Sequence, residues 1–163
     1  MHVITEKTGS LIATSGRFGA MFAGLPDEMA DLIAEACLRI GVAWQLSDDV
    51  LDIASTSAES GKEQGTDLRQ GVRTLPVLYA LRGNSSEPDA VRLRELLLDA
   101  DLTDPGLHAE ALGLLRTSSA VEEARQTVRT WIGDASDLLA RLPDVPARAA
   151  FESLCDFVNT RTA

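Results

Sequence analysis

One short segment constrains the fold of this chain more than any other part of its sequence. Three carboxylates lie at positions i, i+1 and i+4, namely Asp48, Asp49 and Asp52. Each residue of an α-helix turns the chain by about 100°, so these side chains would share one helix face, which Gln45 joins from one turn earlier. The opposite face is apolar and consists of Val42, Leu46, Val50 and Ile53. The pattern predicts an amphipathic helix that concentrates negative charge on its polar face.

Such a concentration of negative charge is costly unless a cation lies beside it. Two or three carboxylates that face a hard divalent ion and substrate phosphates are the usual way in which proteins hold Mg²⁺. The alternative is a solvated acidic face, since the whole chain carries a formal net charge of −10. A second triad with the same spacing, Asp27, Glu28 and Asp31, follows Pro26. We interpret it as the start of a helix, where acidic side chains complement the helix dipole.

The segment after Ile53 distinguishes the two acidic triads. Residues 54–71 are polar and lose the helical periodicity. Their glycines permit positive φ angles and close approach of the backbone to a ligand; they are Gly61, Gly65 and Gly71. Lys62 and Arg69 add positive charge beside the acidic face. An acidic cluster followed by a basic loop suits a metal–diphosphate complex, because the metal cation and the diphosphate anion both need partners of opposite charge. The loop without the acidic cluster would indicate only a solvated linker.

The rest of the chain is also expected to be helical. Apolar periodicity and helix-breaking residues predict an all-α fold without strands. The expected helices span residues 3–23, 26–53, 72–82 and 88–98, a short stretch from 104, then 119–142 and 147–159.

Three blocks with fixed internal spacing include or follow the acidic face. They are Trp44-Gln45-x-x-Asp48-Asp49-x-x-Asp52, Gly61-Lys62-x-x-Gly65-x-Asp67-Leu68 and Thr74-Leu75-Pro76. Together they resemble the second aspartate-rich region of trans-isoprenyl diphosphate synthases. Flanking blocks look like the preceding helix and the C-terminal helices of that family; they are Lys7-Thr8-Gly9-Ser10-Leu11-Ile12, Gly19-Ala20-x-x-Ala23-Gly24, Leu142-Pro143-x-x-Pro146-x-Arg148 and Asp156-Phe157-Val158. The resemblance covers nearly the whole chain and is closest to the bacterial long-chain polyprenyl diphosphate synthases.

The sequence departs from this family in two respects. The family often has a lysine two residues before Thr74, where this chain has Val72 followed by Arg73. The family also uses a first aspartate-rich motif and a basic Arg-Arg segment, which lie in an N-terminal half that this sequence lacks. The triad at Asp27 cannot replace that motif, because Asp27 and Asp48 would lie roughly 30 Å apart on one helix.

The resemblance implies a fold and a metal site. We expect an isoprenoid synthase-like helical bundle that represents only the C-terminal half of the fold, with residues 1–163 as a single partial domain. Asp48, Asp49 and Asp52 would hold one Mg²⁺, partly through water, and Asp48 and Asp49 would be catalytic.

The resemblance also implies roles in substrate binding and catalysis. Lys7 and Lys62 would bind the allylic diphosphate directly, and Arg73 would supply a further diphosphate contact. Gln45 and Thr8 would line the site near the reacting carbon, with Lys7 and Gln45 counted as catalytic. The alternatives are a surface lysine, a buried hydrogen-bonding glutamine and an ordinary helix threonine.

The reaction implied by the resemblance is chain elongation. An allylic diphosphate ionises to a carbocation, the double bond of isopentenyl diphosphate attacks it, and loss of a proton leaves a chain five carbons longer. The barrier is separation of the diphosphate anion from the cation, so positive charge on the leaving group is required.

Composition limits the other functional classes. A chain of 163 residues with 45% apolar residues indicates one globular domain. The acidic balance argues against nucleic acid but not against diphosphates, since bound Mg²⁺ reverses the local sign. Cys37 and Cys155 are expected to be small buried residues. The sequence shows no signal peptide and no apolar run of about 18 residues, so a cytoplasmic location is expected.

Three functional hypotheses remain open. In the first, the chain is the catalytic C-terminal half of a polyprenyl diphosphate synthase and works with a chain carrying the first motif, in a homo- or hetero-oligomer. In the second, it is a non-catalytic accessory or regulatory subunit of a heteromeric synthase. In the third, it is an unrelated helical bundle with an acidic face. The intact central block favours the first hypothesis, because an inactive subunit has no need of three aspartates together with Lys62 and Gln45.

Overall fold

The structure, a computed structural model, describes residues 2–55 and 64–162, and within these ranges it contains helices and no strands. The first half begins with α1 (His2–Ile4), a π-helical turn (Thr5–Gly9), α2 (Ser10–Phe22) and α3 (Asp27–Ala54). In the part of the chain after residue 64 that the structure describes, the helices are α4 (Thr66–Arg69), α5 (Leu75–Arg82), α6 (Pro88–Asp99), α7 (Pro105–Thr117), α8 (Ser119–Leu139) and α9 (Pro146–Thr160). The all-α prediction is therefore confirmed for the described residues.

Three local features differ from the expected helices. The first helix is interrupted by the π-helical turn at Thr5–Gly9. A single helical turn, α4, forms inside the segment expected to be a loop, and Gly65 precedes it with a φ of +65°. Helix α7 has 13 residues, and Asp104 caps it by accepting hydrogen bonds from the backbone N–H groups of Gly106 and Leu107 at 2.8 and 2.9 Å.

The described residues group into two compact units. The first unit comprises residues 1–47 and 127–163, and the second comprises residues 48–126. Helices α3 and α8 each contribute residues to both units. The four apolar residues predicted to form one face of α3 are fully buried; they are Val42, Leu46, Val50 and Ile53.

Close backbone contact between α2, its preceding turn and α3 characterises the first unit. A Cβ built on Gly41 would lie 3.0 Å from the Cα of Gly9 and 3.2 Å from the Cβ of Ile12. A Cβ on Gly16 would overlap the sulfur of Cys37. Glycine therefore fits best where these segments approach each other, because a larger side chain would force the neighbouring atoms to shift.

Aromatic packing holds the C-terminal helix within the same unit. The rings of Trp44 and Phe157 stack with centroids 6.0 Å apart. The guanidinium carbon of Arg161 lies 4.4 Å from the centroid of Trp44. These contacts give Trp44 a structural role, since stacking and cation–π interactions each add to the energy of apolar burial.

Both cysteines are buried and unpaired, as expected from the sequence. Burial, reinforced by the neighbouring Cys155, raises the pKa of the Cys37 thiol to about 11. The thiol is therefore protonated at neutral pH and packs as a small apolar group. Among the described residues, no helix combines the length and apolar character needed to cross a membrane.

Gly41→Ala is expected to lower the free energy of unfolding by about 1–3 kcal/mol, because the new methyl group would overlap the backbone of Gly9. Gly19→Ala on α2 is the matched control, since a Cβ there meets nothing within 4 Å. The free energy of unfolding of this control should rise by up to about 1 kcal/mol, because alanine has a higher helix propensity than glycine. Urea unfolding of the two variants measures both effects, and equal stabilities would contradict the close contact.

Candidate functional site

The acidic face near the end of α3 lies in the second unit. The carboxylate-bearing residue Asp49 is only 6% exposed, whereas Asp48 and Asp52 are partly exposed. Burial raises the pKa of the Asp52 carboxyl, and hydrogen bonds from the backbone N–H groups of Asp67 and Thr66 partly oppose this effect. The triad is therefore not an ordinary solvated face, because one of its members is buried and another is bonded to the chain that follows.

The second acidic triad has a different environment. Asp27 and Glu28 lie in the first turn of α3 and are exposed to solvent. Asp31 pairs with Arg17 at 2.6 Å, and both side chains are about half exposed. These observations confirm that this triad marks a helix start.

Asp52 fastens the chain that follows α3. Its Oδ1 accepts a hydrogen bond from the N–H of Thr66 at 3.1 Å, and its Oδ2 accepts one from the N–H of Asp67 at 3.2 Å. Its backbone carbonyl accepts a third hydrogen bond from the N–H of Gly65 at 2.9 Å. The predicted positive φ angles are confirmed at Gly65 and at Gly71, where φ is +70°.

Helix α7 supports this turn from the other side. His108 is buried, and its Nε2 lies 2.9 Å from the carbonyl oxygen of Gly65. Arg116 donates from Nε to the carbonyl of Ile53 at 2.6 Å and from Nη2 to the Oε1 of Gln64 at 2.6 Å. No local pattern in the sequence marks His108 or Arg116, because their partners lie 39 to 63 residues away in the chain.

Residues 56–63, which include Gly61 and Lys62, lie outside the described residues, so the role of Lys62 remains a prediction. The two residues that flank this segment are held together. Gln64 donates from its side-chain amide to the carbonyl of Ser55 at 2.7 Å, and Arg116 donates to the same carbonyl at 3.2 Å.

Two predicted substrate-binding residues meet in the first unit. The hydroxyl of Thr8 donates to the Oε1 of Gln45 at 3.0 Å, and both side chains are partly buried. Lys7 is exposed and lies with Thr8 in the π-helical turn. Such turns are frequent at functional sites and distort the i→i−4 bonding pattern, which no feature of the sequence indicated.

Arg73 lies in the exposed connection that leads to α5, beside Val72, which is also exposed. Its predicted contact with a diphosphate stays a prediction.

The carboxylates are compatible with Mg²⁺ but do not form a closed cage. Among the side chains in 2–55 and 64–162, no three His, Cys, Asp or Glu groups converge on one metal position. Mg²⁺ is commonly held by one or two carboxylates, with substrate phosphates and water as the remaining ligands. Asp48 and Asp49, as neighbouring carboxylates, fit that incomplete ligand set.

Solved structures with the same fold include prenyl diphosphate synthases. The geranylgeranyl pyrophosphate synthase from Corynebacterium glutamicum, complexed with calcium and isoprenyl diphosphate, matches with a TM-score of 0.89 and 39% identity. The match covers 99% of this chain and 49% of that chain. The heptaprenyl diphosphate synthase from Staphylococcus aureus matches with a TM-score of 0.85 and 30% identity, over 98% of this chain and 49% of that one. These similarities confirm an isoprenoid synthase-like fold of which this chain represents about half.

Curated relatives give the same result. The chain is 45% identical to nonaprenyl diphosphate synthase from Mycobacterium tuberculosis, over 99% of this chain and 47% of that relative. It is 31% identical to heptaprenyl diphosphate synthase component 2 from Geobacillus stearothermophilus, over 97% of this chain and 48% of that relative. The chain thus spans about half the length of these relatives. The polyprenyl synthetase family model matches residues 1–114, and together with these relatives the match shows that the chain belongs to the polyprenyl synthetase family.

Proposed function

We propose that this chain supplies the second aspartate-rich half of a prenyltransferase that condenses isopentenyl diphosphate with an allylic diphosphate. The observation that carries the proposal is the end of α3, where buried Asp49 and partly exposed Asp48 precede a turn fastened by Asp52. Burying a carboxylate beside two others adds repulsion and a desolvation cost, which a bound Mg²⁺ would offset.

The acidic residues would act on the leaving group. Asp48 and Asp49 would hold Mg²⁺, which would supply the positive charge that a departing diphosphate needs. Lys62 and Arg73 would contribute direct positive charge to that diphosphate, as the resemblance to the family implies.

The proposed substrate-binding residues of the first unit would hold and orient the allylic substrate. The hydrogen bond from Thr8 to Gln45 fixes the orientation of the glutamine amide. Lys7, one residue before Thr8 in the π-helical turn, is exposed to solvent. We propose that Gln45 and Thr8 orient the allylic substrate and that Lys7 binds its diphosphate.

Activity would require a polypeptide segment that carries the first aspartate-rich motif. An exposed apolar stripe on α2 supports this requirement: Leu11, Phe18 and Phe22 are 67%, 52% and 92% exposed. Their spacing of seven and four residues keeps them within about 40° on one helix face. An apolar stripe of this kind marks a protein contact, and the half of the fold that this chain does not represent is the occupant we propose.

The second candidate is an accessory subunit, and Val72 favours it. An exposed valine occupies the position where the family often has a lysine, so one diphosphate contact depends on Arg73. Heptaprenyl diphosphate synthase component 2 is named as one component of its enzyme, which supports a heteromeric arrangement under either candidate. The two candidates differ in whether the carboxylates of this chain are needed for turnover.

The isolated chain is expected to show no condensation activity. A single aspartate cluster cannot supply both sides of the metal–diphosphate site that the resemblance implies. Incubation with Mg²⁺, an allylic diphosphate and radiolabelled isopentenyl diphosphate should yield no elongated product, and adding a polypeptide with the first motif should produce it. Product formed by the purified chain alone would refute the requirement for a second segment.

Asp48→Ala should abolish the activity of the reconstituted pair, with a loss of at least about a hundredfold in kcat, because it removes a proposed ligand of the Mg²⁺ that would neutralise the leaving group. Asp27→Ala removes an equivalent exposed carboxylate at the start of the same helix and should leave kcat unchanged. Full turnover by the Asp48 variant would favour the accessory subunit.

The isolated chain should self-associate through the stripe on α2. Phe18→Ser combined with Phe22→Ser should raise the concentration at which light scattering first detects oligomers. The control replaces Leu78 and Leu98 by serine, since both are exposed apolar residues in the second unit. A monomeric unsubstituted chain, or an equal effect of both pairs, would count against the stripe as a docking surface.

A further inference from the structure

His108 is the buried titratable residue that the proposed reaction does not use. It lies on α7 and is 5% exposed. Its Nε2 is 2.9 Å from the carbonyl oxygen of Gly65, and because a carbonyl only accepts, Nε2 carries the proton in this bond. Its Nδ1 lies 3.5 Å from the Nη2 of Arg69, so the same tautomer presents an acceptor to the guanidinium.

Gly65 is fixed by both of its backbone polar groups. Its N–H donates to the carbonyl of Asp52, and its C=O accepts from His108. Its φ of +65° favours glycine, and a Cβ there would lie 2.8 Å from the Nε2 of His108. The two following N–H groups, of Thr66 and Asp67, then point at the carboxylate of Asp52.

Arg116 gives α7 a second contact with the end of α3, two helical turns after His108. Its guanidinium binds the carbonyls of Ile53 and Ser55 and the side chain of Gln64. The last carbonyls of a helix lack intrahelical partners and carry partial negative charge, so an arginine at this end satisfies and stabilises them. Helix α7 therefore holds both the end of α3 and the turn that returns to it.

We propose that His108 and Arg116 are positioning residues for the prenyl-transfer site, and that Asp52 anchors the turn rather than binding Mg²⁺. Helix ends fray, and Asp49 lies only five residues before the last residue of α3, Ala54. Fixing the last turn holds the carboxylates of Asp48 and Asp49 in one orientation. Both oxygens of Asp52 already accept backbone N–H groups, which assigns this carboxylate to the turn. This inference rests on the proposed function.

Amide hydrogen exchange measured by NMR on the full chain tests the anchor itself. His108→Leu removes the donor to Gly65 and should accelerate exchange at the N–H groups of Gly65, Thr66 and Asp67 by at least about tenfold. His108→Gln retains an N–H that can reach the same carbonyl and should restore most of the protection. Glu110→Gln is the matched control, because Glu110 lies on the exposed side of α7, pairs with Arg92 and does not contact the turn.

A titration with MgCl₂ and inorganic pyrophosphate tests the positioning role, with each labelled sample first combined with the polypeptide that carries the first motif. His108→Leu and Arg116→Met should weaken binding at least about fivefold, whereas His108→Gln and the Glu110 control should stay within twofold. Asp52→Asn should weaken pyrophosphate binding no more than His108→Leu does, and Asp48→Asn should abolish pyrophosphate binding. A loss with Asp52→Asn as complete as with Asp48→Asn would make Asp52 a metal ligand and overturn its assignment to the turn.

The outcomes distinguish this inference from the proposed function. Unchanged exchange in His108→Leu, or no rescue by glutamine, would overturn the anchor. Faster exchange with unchanged pyrophosphate affinity would overturn the positioning role and leave the proposed function intact. A lack of magnesium-dependent pyrophosphate binding by the unsubstituted chain in the reconstituted pair would overturn the proposed function and the positioning role together, whereas accelerated exchange would still establish the anchor.

Discussion

The hydrogen bonds between Asp52 and the turn at residues 65–67 are the interaction on which the candidate acidic site depends. A helix that ends in the protein interior leaves several carbonyl groups without partners. In this chain the N–H of Gly65 and the guanidinium of Arg116 bind those carbonyls, while the Asp52 carboxylate receives the next two N–H groups. The polar groups at the end of α3 and in the returning turn thus form hydrogen bonds with each other. The carboxylates of Asp48 and Asp49, one turn earlier, lie on a helix whose end is held in place.

Features that depend on local periodicity could be predicted from the sequence. The burial of Val42, Leu46, Val50 and Ile53 follows from their helical spacing, and the left-handed conformation of Gly65 follows from a glycine in a polar segment. The contacts of His108 and Arg116 could not be predicted, because they join α7 to residues 39 to 63 positions earlier and no local pattern marks them. The π-helical turn at Thr5–Gly9 was also missed, since no local pattern in the sequence marks it.

Helices α2 and α3 differ in how much of their apolar surface the described residues cover. Helix α3 has its apolar face covered within the described residues, so each unit can form a core of its own. Helix α2 presents Leu11, Phe18 and Phe22 to solvent, although it packs closely against α3 through glycines on its other side. A chain that spans about half the length of its relatives is expected to combine a complete core with an uncovered face.

The position of the two acidic triads on α3 explains why identical spacing has different consequences. Asp27 and Glu28 lie at the N-terminal end, where the helix dipole favours negative charge by about 0.3–1 kcal/mol per residue. Asp52 lies in the last turn, where the same dipole opposes it, and Asp48 and Asp49 lie one turn earlier. Burial adds to this cost, as the raised pKa of Asp52 indicates. The backbone N–H groups of Thr66 and Asp67 partly compensate for this cost at Asp52. Asp49 is buried beside Asp48, whereas Asp27 and Glu28 are exposed, and this difference in burial is the physical reason why we propose Asp48 and Asp49, and not the first triad, as the residues that hold magnesium diphosphate.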